Sequence, residues 1–135
     1  MSETKESTDF ITKQKELYNR NILYIDKIFN PLKSGEPDIL SIYKCMPCFM
    51  ESKKINSLSF KNNHPFSDLQ IRNLRIKKQA GAMAIGLLIL DQDNIRYIHQ
   101  EELKKYITKE DWVKAEVFNW EMLRSIWIKR IQINF

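Results

Sequence analysis

The block AGAMAIGLLIL at 80–90 constrains the fold more than any other part of this chain. Its eleven consecutive small or apolar residues leave no polar face, so the element they form belongs inside the fold. A helix needs about 20 such residues to span a bilayer, so the block is not a transmembrane segment. Read as a helix, it continues from a capped start. Ser67 with Gln70 three residues on has the capping-box pattern, and Leu69, Ile71, Leu74 and Ile76 lie opposite Arg72, Arg75 and Lys78. The sequence therefore predicts a buried central helix over 67–90. Gly81, Ala82, Ala84 and Gly86 would let neighbours approach it closely.

The rest of the chain reads as helices around that one. Only three glycines and four prolines in 135 residues argue against a turn-rich sheet protein. Residues 1–7 are read as a flexible polar terminus and 8–135 as a single helical domain. Thr8 or Asp9 caps a helix carrying Phe10, Leu17, Ile22, Ile25, Ile28 and Phe29. Pro31 ends it, and PLKSGEP and KNNHP are loops. Pro37 suits the first turn of a short helix holding Ile39, Leu40, Ile42 and Tyr43, which Pro47 stops or kinks. Lys54–Phe60 has no clean period. Thr108 with Asp111 starts a last helix that sends Trp112, Val113, Val117, Trp120, Leu123, Ile126 and Trp127 to the core. The expected fold class is all-α, a compact bundle of about five helices with little or no sheet.

The apolar block runs into DQDNIRYIHQEE and LKKYI. An EF-hand loop presents oxygen ligands at positions 1, 3, 5, 7, 9 and 12, and Asp91, Asp93 and Glu102 fall on the first, third and twelfth. Met83, Leu87 and Leu90 before the loop, and Leu103, Tyr106 and Ile107 after it, stand at the offsets of the flanking helices. Residues 83–107 thus resemble a degenerate EF-hand. Ile95 and Arg96 replace the third oxygen ligand and the turn glycine, so the resemblance implies a helix–loop–helix shape without its calcium ion.

Cys45-Met46-Pro47-Cys48 has the spacing of a thiol redox pair, here in a helical context that lacks the βαβ surround such a site uses. Cys45 and Cys48 with His64 are also the candidate ligands of a zinc ion, which wants four close ligands. His64 and His99 stand far apart, so Cys45 and Cys48 read as small residues beside a proline kink. No cofactor or metal is expected.

Arg72, Arg75, Lys77 and Lys78 form one basic cluster, and Arg124, Lys129 and Arg130 a second. The net charge of +5 is compatible with an acidic partner. There is no Ser/His/Asp constellation, glycine-rich phosphate loop or metal-spaced pair of histidines. The expected function is therefore a non-enzymatic helical interaction protein, an adaptor or small subunit of a larger assembly with protein partners. The alternatives are nucleic-acid binding through the two basic clusters and an EF-hand-like regulatory module. With no apolar leader at the start, the expected location is cytoplasmic or nuclear rather than secreted.

Overall fold

The computed structural model describes residues 2–28, 35–55 and 66–134. The elements run α1 (Ser2–Leu17), β1 (Leu23–Lys27), β2 (Ile39–Tyr43), β3 (Met46–Lys54), α2 (Asp68–Gln79), β4 (Met83–Asp91) and β5 (Asn94–His99). A 3-10 turn (Gln100–Glu102), α3 (Lys109–Lys114), β6 (Glu116–Val117) and α4 (Trp120–Asn134) follow. The six strands form one sheet in the order β1-β2-β3-β4-β5-β6. All neighbours are antiparallel except β3 and β4, which are parallel. The expected all-α bundle is overturned.

The reason lies in the apolar block itself. Met83–Asp91 is a strand at the centre of the sheet, hydrogen-bonded to β3 on one side and β5 on the other. Alternate residues enter different cores. Ile85, Leu87 and Ile89 pack with Phe10 and Ile11 of α1 and with Trp120 and Leu123 of α4. Leu88 packs on the other face with Phe66, Ile98 and Ile107, flanked by Ile71 of α2. A strand covered on both faces needs no polar positions, so its sequence loses the alternation that marks a half-exposed strand. Over this length an apolar run does not distinguish strand from helix.

The same ambiguity explains the other corrections. The helix expected through Phe29 ends at Leu17, and a turn at Asn19 accepts hydrogen bonds from the backbone of Ile22 and Leu23. Leu23 and Ile25 then point inward on β1 while Tyr24 points out. Ile39–Tyr43 is strand rather than helix, with Ile39, Ser41 and Tyr43 buried in alternation. Phe29, most of PLKSGEP, KNNHP and His64 lie outside the described residues. Both capping boxes form as read: Ser67 with Gln70 opens α2, and Thr108 with Asp111 opens α3. The helix after Thr108 stops at Lys114, and α4 restarts at Trp120.

The β2–β3 hairpin turns through Lys44 and Cys45, both at positive φ (45° and 73°), between the paired residues Tyr43 and Met46. Such a turn matches the strand twist but favours Asn-Gly. Its left-handed conformation costs a β-carbon-bearing residue roughly 1–2 kcal/mol. Cys45→Gly is expected to stabilise the protein by about 1 kcal/mol, read as a higher urea midpoint. Gly86 is the opposite case. A β-carbon there would stand 2.5 Å from Phe66 Cζ and 2.6 Å from Leu103 Cδ2, so Gly86→Ala should overpack this face and cost roughly 1–3 kcal/mol.

Candidate active site

The antiparallel register of β2 and β3 pairs Ile39 with Met50. The next step outward sets Asp38 against Glu51. Side chains two apart on a strand share a face, so Glu51 and Lys53 project together, on the side that α2 covers. Asp38, Glu51 and Lys53 are thus assembled by one hairpin, 13 residues separating the two acids in sequence.

Glu51 is 6% exposed, and donors from three directions hold its carboxylate. The backbone N–H of Asp38 donates to Oε2 at 3.2 Å. Gln70 of α2 donates from Nε2 to Oε1 at 2.8 Å. The Lys53 ammonium stands 3.7 Å from Oε1. Asp38 is held by Ser52: the Ser52 N–H donates to Oδ1 at 2.8 Å, and the Ser52 hydroxyl donates to Oδ2.

Burial pushes the Asp38 carboxyl above its ordinary range, against the lowering effect of the Ser52 hydrogen bonds and the Lys53 charge. Glu51 and Lys53 are nearly buried and Asp38 is half-buried, in a place where burying charge is costly. An acid with perturbed ionisation beside a buried carboxylate makes the place a candidate functional site. At the same end of the sheet, Glu6 of α1 stands 3.8 Å from Lys54 Nζ and accepts from Gln92 Nε2 at 3.2 Å.

None of these site residues stood out in the sequence. The signal present was an acid and a lysine two apart in FMESKK, facing an acid just before an apolar run. It becomes legible only once both segments are known to be paired strands.

The residues singled out from sequence fare differently. Asp91 caps the β4–β5 turn, accepting from the Asp93 N–H and from the Asn94 amide. Asp93 is 91% exposed and lies 3.5 Å from Lys13. The segment 83–99 is a β-hairpin rather than a helix and loop. Asp91 pairs with Asn94 at its tip, whereas Glu102 follows His99, which pairs with Ile85. The intervening strand length is about 20 Å, so Asp91, Asp93 and Glu102 do not converge. Cys45 is exposed in the hairpin turn and Cys48 is buried. Burial pushes the Cys48 thiol up to about 12, the reverse of a reactive thiol. Among the described residues no three His, Cys, Asp or Glu side chains gather around a possible metal position.

The basic clusters are sorted by what each side chain touches. Lys77 lies 3.3 Å from Glu36 and over the ring of Phe49. Arg124 Nε donates to the Lys44 carbonyl at 3.0 Å and so holds the hairpin turn. Arg72, Arg75 and Lys129 are exposed. Lys78 pairs with Glu101 at 2.9 Å. Arg130 Nη2 donates to the Ala82 carbonyl at 2.5 Å, at the start of β4.

The chain is a mixed sheet with helices on both faces, in which a buried glutamate and a lysine on β3 stand beside a half-buried aspartate at the start of β2. No protein-family profile and no curated protein matches the sequence. Among solved structures the chain is similar to Archaeoglobus fulgidus Hjc, a Holliday junction resolvase from an archaeal hyperthermophile. The two share 16% identity at a TM-score of 0.63, over 84% of this chain and 94% of that one. This likeness establishes the fold. With the helical bundle gone, the expectation of a non-enzymatic helical adaptor goes too, since the fold is one that a resolvase uses. Among the described residues no helix is long and apolar enough to cross a membrane.

The Asp38 carboxyl yields a prediction about stability. Its raised folded pKa means that, above the ordinary value of 3.8, the native state holds its proton more tightly than the unfolded chain. Stability then falls as pH rises through that window. Asp38→Asn keeps an acceptor for the Ser52 N–H and removes the buried charge. It should unfold at higher urea than the parent at neutral pH, with the difference closing in acid. A variant no more stable than the parent at neutral pH would refute this account.

Proposed function

We propose that this protein is a nuclease that hydrolyses phosphodiester bonds of structured DNA at Asp38, Glu51 and Lys53, with a divalent cation held by the two carboxylates. The juxtaposition of those three side chains on adjacent strands carries the reading. The resolvase-like fold supports it and suggests branched DNA as the first substrate to try.

The residues fit such an ion. Magnesium is bound through one or two carboxylates, keeping waters and substrate phosphates as its remaining ligands, and Asp38 with Glu51 is a donor set of that kind. When bound, a divalent ion neutralises phosphate charge and makes water more acidic.

The chain's own groups supply the rest. Gln70 and the Asp38 N–H fix the orientation of Glu51, and Ser52 fixes that of Asp38. The Lys53 ammonium, 14% exposed, offers a fixed positive charge to a phosphate or to the charge that develops on it. Burial around Glu51 keeps the local dielectric low, where such charges act most strongly. On the exposed side of α2, Arg72 and Arg75 stand three residues apart as a basic stripe suited to backbone phosphates.

Labelled four-way junction and linear duplex incubated with magnesium or manganese, against a chelator control, test the reading. Metal-dependent cleavage is expected. Glu51→Gln and Lys53→Ala should each lose on the order of a hundredfold or more in rate, as when a group that stabilises the transition state is removed. Independently of turnover, manganese at about ten times its Kd should stabilise the parent by roughly 1.4 kcal/mol and leave Asp38→Asn unmoved. Neither cleavage nor a metal-induced rise in Tm would end this reading.

A further inference from the structure

A cavity of about 750 Å3 lies where the C-terminal end of α2, the start of β4 and α4 come together. Arg75 and Lys78 line it from α2, Arg130 and Ile131 from α4, with Gly81 and Gln100 between them. The two basic clusters, more than fifty residues apart in sequence and on opposite faces of the sheet, meet here. Three cations converge on the cavity, and Glu101, which pairs with Lys78, neutralises one of them.

The geometry points to this cavity as an anchoring site for a backbone phosphate of the nucleic acid, an inference that rests on the nuclease reading above. Charge complementarity selects the occupant. A surplus of two positive charges, one on an exposed arginine and one on an arginine already oriented by the Ala82 carbonyl, suits a phosphodiester with two free oxygens. Trp127 Nε1 donates to the Gly81 carbonyl at 2.8 Å, and Gly81 sits at φ +109° with open space where a β-carbon would be. The floor of the cavity is therefore held in place while its mouth stays clear.

Its distance from the acid pair gives the site a role. Glu51 lies in register with Gly86 on the parallel strand. Gly81 is five residues back along that strand's direction, which is roughly 17 Å at 3.3 Å per residue. That is about five base-pair steps of a duplex. A phosphate held at the cavity fixes one point of the substrate while the acids act on another, and α2 bridges the two with Arg72 and Arg75.

The test is an anisotropy titration of the full chain with a duplex of about 20 base pairs, in chelator and over a range of salt. Arg75→Gln and Arg75→Gln/Arg130→Gln are compared with the parent, and Lys129→Gln on the exposed side of α4 serves as a control. The plot of log affinity against log salt should lose about one unit of slope for the double variant, because the cavity holds one phosphate, and a part of that for the single. Affinity should fall roughly ten- to a hundredfold at moderate salt, while Lys129→Gln binds as the parent does. If Arg130→Gln weakens the fold, the exposed Arg75→Gln alone still decides the matter through its slope. A parent that binds with a salt dependence unchanged in both variants overturns the anchoring site and leaves the cleavage reading standing. A parent that does not bind at low salt overturns both.

Discussion

The parallel pairing of β3 and β4 is the constraint from which the rest of this molecule follows. Seven residue pairs, from Cys48–Met83 to Lys54–Ile89, run in register. Two adjacent parallel strands cannot be joined by a tight turn, so the chain must cross one face of the sheet and return. The crossing segment contains α2, and its placement has two chemical consequences. The N-terminal turn of α2 brings Gln70 onto Glu51, and its C-terminal turn brings Lys78 beside the start of β4 and Arg130. Gly86, directly opposite Glu51 in the register, lets Phe66 and Leu103 close over the same face. The geometry of the candidate site, the basic surface and the core are thus set by one strand pair.

The candidate site opposes that economy. Burying a carboxylate lowers stability unless its partners offset the lost solvation. The hydrogen bonds from Ser52, Gln70 and the Asp38 N–H position the acids and recover part of the cost, but burial still raises Asp38. That desolvation, only partly offset by the hydrogen bonds, is the physical sign that marks Asp38 as part of a candidate site.

Much of the chain's local grammar was legible in the sequence. The capping boxes at Ser67 and Thr108 form as read, because a cap is a contact between residues three apart and depends on little else. The inward positions Phe10, Leu74, Trp120 and Leu123 are buried as expected. What failed is the period of the apolar segments. AGAMAIGLLIL is apolar throughout because helices cover both faces of its strand, so the pattern carries no period at all. The β2–β3 hairpin hides behind a turn of Lys44 and Cys45, with neither glycine nor asparagine to announce it. Without that hairpin, Asp38 and Glu51 are two acids far apart in sequence. Their meeting is long-range information that no local spacing contains. The zinc candidate fails for a related reason: Cys45 and Cys48, close in sequence, lie one in the turn and one in the core.

The basic residues complete the electrostatic argument. An acid pair by itself repels a phosphate, so a nuclease built on one needs positive charge outside the site to hold the substrate against it. Spread evenly, a net charge of +5 would be of little use, since fields from exposed charges fade over about 8–10 Å at ordinary salt. Concentration is what matters. Lys77 and Arg124 are withdrawn into structural contacts and Lys78 is paired with Glu101, leaving Arg72 and Arg75 along α2 and Arg130 beside Arg75 at its end. The positive charge is therefore gathered on the exposed side of α2 and at the cavity rather than spread as a halo. On the proposed reading, a backbone laid along that surface would meet attraction over most of its length and the acids at one point only.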